Sequence, residues 1–97
     1  LIAGDIFDVI NPGSQAQKKL YQFLADAHRI APHMQTHMIA GNHDSGYRIE
    51  QVEPLLEKYN AKTVGVFRWN EDKTLDLDRL LLPIYNQNKD IVALCLA

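Results

Sequence analysis

Two short apolar runs, each followed directly by a polar loop, organise the predicted fold. Residues 1–3 precede the loop 4–8, and residues 38–40 precede the loop 41–44. Each pattern is typical of a strand that ends in a loop. One helix-length segment separates them, so we predict a parallel βαβ unit. Because ligands collect at the carboxyl ends of parallel strands, we expect the polar side chains of the two loops to meet at one edge of the sheet.

The segment between the two strands has the pattern of an amphipathic helix. We predict that it begins at Ser14, which forms a capping box with Gln17, and that Pro32 ends it. Residues 35–40 then form the second strand. The apolar positions keep to one helical face, which we predict to be buried. These positions are Ala16, Leu20, Phe23, Leu24, Ala27 and Ile30.

A second, shorter helix is predicted over residues 52–59. Pro54 suits a first helical turn, and Asn60 suits the left-handed position that ends a helix. The predicted buried face consists of Leu55, Leu56 and Tyr59.

The last third of the chain is predicted to be mainly β-structure. The β-branched segment 63–67 indicates a third strand. Alternating apolar positions from Leu80, a turn at residues 86–89 and an apolar run from Ile91 predict an antiparallel hairpin. Pro83 favours an edge strand or a bulge. The predicted fold class is therefore α/β, with a parallel βαβ unit, a further strand and a C-terminal antiparallel hairpin.

The composition is that of an ordinary globular chain, with 46% hydrophobic and 23% charged residues among 97. No apolar run approaches the roughly 20 residues that a membrane span needs. Cys95 is the single cysteine, which excludes a disulfide framework and agrees with a cytoplasmic setting. The formal net charge is −2 and the basic residues are scattered. This segment therefore lacks the positive surface expected of an autonomous DNA-binding module.

Asp5 and Asp8 are the first candidates for chemistry. A carboxylate after a strand often only caps a turn or a helix, but Ser14 is already placed to cap the predicted helix. Two acids three residues apart, near a distant Asn-His-Asp cluster, offer the oxygen ligands that hard divalent cations prefer. We therefore favour a metal site.

The loop Gly41-Asn42-His43-Asp44 has an alternative interpretation as a plain turn, because Gly and Asn accept unusual backbone angles. Three polar side chains next to a buried strand are, however, a costly way to build a turn. When both loops are considered together, the functional interpretation is favoured over the structural one.

The two loops carry a family resemblance. Gly4-Asp5-Ile6-Phe7-Asp8 followed by Gly41-Asn42-His43-Asp44 resembles the second and third motifs of the calcineurin-like metallophosphoesterases. A closer resemblance, to the SbcD-type subunits of bacterial SbcC–SbcD exonucleases, runs from residue 1 to about residue 65. It is carried by residues 4–9, the Asn11-Pro12 turn, the helix through residues 22–24, and residues 39–45 and 54–57.

The resemblance implies a role for each polar residue of the loops. Asp5 would bridge two divalent metal ions, in this nuclease group Mn²⁺, and Asn42 would bind one of them. His43 would be the catalytic histidine, which protonates the leaving oxygen or stabilises charge on the phosphoryl group. Asp44 would orient the His43 ring, and Asp8 would orient the groups that bind metal.

The family also has an Asp-x-His motif before the first strand and later His ligands that end in Gly-His-x-His, and neither motif occurs here. We therefore expect residues 1–97 to be an internal fragment of one metallophosphoesterase domain, a partial sandwich with an incomplete metal site and no activity alone. His28, His33 and His37 are alternative ligands, but on a helix, a loop and a strand they are more simply interpreted as structural or solvated.

The resemblance predicts hydrolysis of DNA phosphodiester bonds by an exonuclease subunit that processes DNA ends and double-strand breaks. DNA and a coiled-coil, SMC-like ATPase of the SbcC type would be the partners of the full-length protein, with a second copy of the chain as a further one. Two alternatives stay open. One is the same chemistry on a phosphoprotein, cyclic nucleotide or nucleotide, and the other is a non-catalytic module for structure or partner binding.

Overall fold

The computed structural model describes all residues from 1 to 97, which divide into two compact units, residues 1–65 and 66–97. No helix is both long and apolar enough to cross a membrane. The first unit contains β1 (Ile2–Ala3), α1 (Ser14–Ile30), β2 (Thr36–Ile39), α2 (Gly46–Gln51), α3 (Glu53–Leu56), a 3₁₀ turn (Glu57–Tyr59) and β3 (Ala61–Val64). The second contains α4 (Leu77–Leu80), β4 (Leu81–Tyr85) and β5 (Ile91–Leu96).

A three-stranded parallel sheet in the order β1-β2-β3 forms the centre of the first unit. The ladder continues past the strand ends, because Gly4 N–H donates to the Ile39 carbonyl at 3.0 Å and Ala40 N–H to the Val64 carbonyl at 2.9 Å. Both polar loops therefore begin at the same edge of the sheet. The predicted α/β class and the parallel βαβ unit are confirmed.

The core of the first unit lies on the face of the sheet that carries Met38 and Ala61. Leu24 of α1 and Leu56 of α3 pack there, and all four residues are at most 3% exposed. Burying such apolar side chains contributes about 1.5–3 kcal/mol for each large one. This packing holds the ends of β1 and β2, and thus the two loops, in a fixed relation.

Helix α1 begins at Ser14 and ends before Pro32, as predicted, but the capping box is wrong. Gly13 is the N-cap residue and no side chain caps the helix, since Ser14 already lies inside it. Gln17 Nε2 donates instead to the Pro12 carbonyl at 2.8 Å.

The predicted buried face of α1 is also partly wrong. Leu24 is buried and Leu20 packs on the core, but Phe23 is 55% and Ile30 is 76% exposed. The inward face is rotated toward Tyr21, which packs on the core in their place. At 100° per residue, positions 23 and 30 then point away from the sheet.

The predicted helix over residues 52–59 is divided into α3 and the 3₁₀ turn, and α2 before it was not predicted. Leu56 is buried whereas Leu55 is 68% exposed, because neighbouring residues of a helix that is one turn long cannot face the same side. Asn60 has φ 53° and ψ 34°, so its predicted left-handed position is confirmed.

The second unit contains the predicted hairpin. Strands β4 and β5 pair antiparallel, with Pro83 opposite Leu94 and a register shift between Ile84 and Tyr85. Pro83 thus lies on an edge strand beside an irregularity, as predicted. The third strand, predicted at residues 63–67, is observed at Ala61–Val64, and the short helix α4 was not predicted.

His37 lies at the alternate position of β2, on the sheet face opposite Met38, and is 5% exposed. Neither ring nitrogen has a hydrogen-bond partner. Burial, with a further contribution from the positive charge of Lys62, lowers the pKa of His37 below its ordinary value. Of the two interpretations of His37, structural or solvated, its burial therefore supports the structural one.

Candidate functional site

Two glycines let the polar loops leave the sheet and approach each other. Gly4 has φ 79°, a left-handed value that other residues adopt at a cost. Gly41 lies against Asp5, and a Cβ at Gly41 would collide with the backbone nitrogen of Asp5 and lie 2.9 Å from its Cα. The backbones of the two loops are therefore in direct contact.

The carboxylate of Asp44 bonds to the backbone of both loops. Its Oδ2 accepts the N–H of Ile6 and the N–H of Gly41, each at 2.8 Å, and its Oδ1 accepts the N–H of Phe7 at 2.7 Å. The two residues of the first loop are 38 and 37 positions away in the chain. Bonds to a charged acceptor are roughly twice as strong as neutral ones, so this is a firm connection.

Asp5 and His43 are brought together across the loops. The His43 N–H donates to Asp5 Oδ1 at 3.0 Å, and the ring nitrogen Nδ1 lies 3.5 Å from Asp5 Oδ2. Asp8 Oδ1 lies 4.0 Å from the same ring nitrogen. The sequence-based hypothesis has Asp44 orient this ring. In the structure Asp5 and Asp8 are the carboxylates near Nδ1, whereas both Asp44 oxygens accept backbone N–H groups.

The site is open to solvent. The side chain of His43 is 54% exposed and that of Asp5 is 44% exposed, and the side chain of Asp8 is fully exposed. Asn42, the predicted amide ligand, is also exposed. These four side chains are therefore accessible to solvent, while Asp44 is half-buried.

Residues 1–93 match the family of calcineurin-like phosphoesterases. The chain belongs to that family. It is also 37% identical over 97 residues to the SbcD component of the SbcCD nuclease of Rhodobacter capsulatus. That alignment covers 100% of this chain but 24% of the relative. The family resemblance, predicted from the two loops, and the SbcD-type resemblance, predicted from these loops and the segments around them, are thereby confirmed.

Membership of a calcineurin-like phosphoesterase family implies divalent metal ions, and the donor chemistry of the loops fits them in part. Asp5, Asp8 and Asn42 supply the oxygen atoms that hard cations prefer, and His43 supplies nitrogen. However, no group of three or more His, Cys, Asp or Glu side chains is arranged to hold a metal ion. The residues of this chain therefore fit part of a metal site and do not complete one.

Two further hydrogen bonds hold α2, which directly follows the second loop, and the sequence did not indicate either. Arg48 Nη2 donates to Asn11 Oδ1 at 2.8 Å, which ties α2 to the segment after the first loop. The buried Glu50 accepts the N–H of Gly65 at 2.9 Å, which ties α2 to the end of β3. Such bonds join residues far apart in the chain, so no local pattern signals them.

Proposed function

We propose that the loops 4–8 and 41–45 form part of the active site of a metal-dependent DNA phosphodiesterase, the nuclease subunit of a complex that processes DNA ends and double-strand breaks. Residues 1–97 would be an internal part of one nuclease domain. The observation that carries the proposal is the meeting of Asp5 and His43 across two loops that are distant in sequence. The similarity to a nuclease component along the whole chain supports the choice of substrate.

Asp5 and Asn42 would hold the metal. Two divalent ions, which we propose to be Mn²⁺, would activate water and neutralise charge on the attacking and leaving oxygens. Asp5 is prepared for this role because the His43 N–H fixes its Oδ1 and so the orientation of its carboxylate. Asn42 adds an oxygen ligand without adding negative charge next to an incoming phosphate.

His43 would exchange a proton with the leaving oxygen. Its Nδ1 faces the carboxylates of Asp5 and Asp8, which orient the ring and leave Nε2 as the nitrogen for that exchange. Asp8, with a fully exposed side chain, would adjust the ring and the nearby ligands rather than bind substrate.

The remaining assignments concern the full-length protein. We propose a coiled-coil ATPase of the SbcC type as its partner, a second copy as a further partner, and action on DNA in the cytoplasm. Because this segment has a formal net charge of −2 and scattered basic residues, the main DNA-binding surface would lie outside it.

The substrate is tested by rate measurements on the full-length protein with Mn²⁺. Linear duplex DNA, a small phosphodiester, a cyclic nucleotide and a phosphopeptide are compared at equal concentration. We expect DNA to be cleaved fastest, and Asp5→Ala to reduce that rate about 10²-fold or more, as loss of a metal-ion contribution to charge stabilisation predicts. Asp26→Ala, which removes an exposed carboxylate on α1, is the matched control and should leave the rate unchanged.

Two outcomes contradict the proposal. A phosphopeptide or cyclic nucleotide cleaved faster than DNA would transfer the same chemistry to another substrate class. Full activity of Asp5→Ala on DNA would make the two loops a structural or partner-binding module.

A further inference from the structure

We infer that Asp44 is a positioning residue that joins the two loops and sets the relation of Asp5 to His43, and that it does not act on the His43 ring. The inference concerns how the loops 4–8 and 41–45 are held together. It rests on the proposed function only for its consequence in metal binding and hydrolysis.

The bonding of Asp44 is more than an acid needs to cap its own turn. A turn cap would accept the Gly41 N–H alone, whereas Asp44 also accepts two N–H groups from the opposite loop, those of Ile6 and Phe7. Oδ1 and Oδ2 are both used. Three backbone donors, two of them from another segment, thus converge on one half-buried carboxylate.

The positions of the bonded groups explain the effect on the site. Ile6 directly follows Asp5, and Asp44 directly follows His43. Asp44 therefore fixes the backbone on one side of each reacting residue. The hydrogen bond from the His43 N–H to Asp5 Oδ1, at 3.0 Å, is a further connection between the two loops.

The close approach of Gly41 to Asp5 gives a second, independent observation. The approach is so close that a Cβ at Gly41 would collide with the backbone nitrogen of Asp5 and with its Oδ1. Carboxylate oxygens on one side and a glycine contact on the other allow little relative movement of the loops. If Asp44 is lost, the three N–H groups lose their acceptor and the loops can separate.

The test uses the full-length protein and three readouts. Hydrogen exchange is followed in peptides that cover residues 4–8 and 38–45, Mn²⁺ affinity by titration with the metal alone, and hydrolysis at rising Mn²⁺. We expect Asp44→Ala to raise exchange in both peptides and to weaken Mn²⁺ binding about 10–100-fold, the range found when groups that orient metal ligands are removed. Asp44→Asn should lie between wild type and Asp44→Ala, because its amide keeps one acceptor oxygen.

Rescue by metal separates positioning from a general loss of stability. In Asp44→Asn, saturating Mn²⁺ should restore kcat to within about threefold of wild type, since bound metal reorders the ligands. His43→Ala is the matched variant, because it removes the ring and keeps the backbone N–H. It should leave exchange unchanged and should not be rescued. Asp26→Asn controls for the change of charge.

The inference is overturned if exchange and Mn²⁺ affinity are unchanged in both Asp44 variants while kcat falls and excess Mn²⁺ does not restore it. Asp44 would then act through the His43 ring. Hydrogen exchange in the two peptides shows whether Asp44 joins the loops, even if the wild-type protein neither binds Mn²⁺ nor hydrolyses DNA. That last failure would count against the proposed function alone.

Discussion

The loops 4–8 and 41–45 follow similar strands and carry similar residues, yet they are held in opposite ways. The acid of the second loop, Asp44, has both oxygens occupied by backbone N–H groups. In the first loop, the side chain of Asp8 is fully exposed, and Asp5 has one oxygen bonded to backbone and the other near the His43 ring. Asp44 of the second loop holds the two loops together, whereas the carboxylates of the first loop remain accessible to solvent.

This difference shows that an acid's role depends on the donors around it. A carboxylate that accepts three N–H bonds has little capacity left for a metal ion or an imidazole, whereas one with a free oxygen can still bind. By this criterion we propose Asp5 as the principal acidic ligand of the segment and Asp44 as the residue that supports it.

The largest expected effect comes from replacing the acids of the first loop one at a time. Asp5→Asn should reduce Mn²⁺-dependent hydrolysis by the full-length protein about 10²-fold or more, because a metal ligand loses its charge. Asp8→Asn should cost about 10–100-fold, as expected of a group that orients others. Steady-state rates check both, and an equal or larger loss in Asp8→Asn would reverse the assignment of the two acids.

The next effect comes from forcing the two loops apart. Gly41→Ala places a Cβ against the Asp5 backbone, and we expect it to lower the free energy of unfolding by about 1–3 kcal/mol, as overpacking does. Gly13→Ala is the matched control, because a Cβ there meets nothing within 4 Å. It should cost less than about 1 kcal/mol, the scale of an N-cap change. Urea unfolding measures both, and equal costs would contradict the close approach.

A smaller effect contrasts the buried His37 of β2 with the exposed His33 in the segment before β2. The folded-state pKa of His37 lies below the ordinary value of 6.5, so the unfolded chain binds more protons in that window. The stability associated with neutral His37 is complete above pH 6.5 and is lost as pH falls toward the lowered pKa. Urea midpoints between about pH 7 and pH 5 should therefore fall more steeply in wild type than in His37→Val. His33→Gln, at an exposed loop position, should retain the wild-type slope.

The smallest effect concerns the contact of α2 with the segment after the first loop. Arg48→Ala removes the hydrogen bond to Asn11, and because that bond is exposed we expect a change in unfolding free energy within about 0.5 kcal/mol. Thermal unfolding checks this. A loss above about 2 kcal/mol in unfolding free energy would mean that the Arg48–Asn11 contact stabilises the protein far more than an exposed hydrogen bond normally does.

Elements with a clear period or a turn residue could be predicted from the sequence. The alternation from Leu80 and the turn at residues 86–89 indicated the hairpin, and Asn60 marked the end of its helical segment. The helices α2 and α4, six and four residues long, were missed. Helices this short show no full period and depend on tertiary packing, so local sequence does not indicate them.

The convergence of the two loops could be predicted from the sequence, but the hydrogen bonds between them could not. Asp5, His43 and Asp44 meet where the loops were expected to converge, because parallel strands fix that edge. The Asp44 bonds to Ile6 and Phe7 could not be predicted, since they join groups 38 and 37 positions apart and depend on backbone atoms that every residue has. Only the folded arrangement distinguishes an acid that fastens a loop from one that faces solvent.

The most direct test of the account is Mn²⁺-dependent hydrolysis of a simple phosphodiester by the full-length protein, with His43→Ala measured against His33→Ala. Both variants remove an exposed imidazole. We expect His43→Ala to lower kcat about 10²–10⁴-fold, the range for loss of a general acid, and His33→Ala to leave it unchanged. Equal activity in the two variants would show that the converging loops are not the catalytic site.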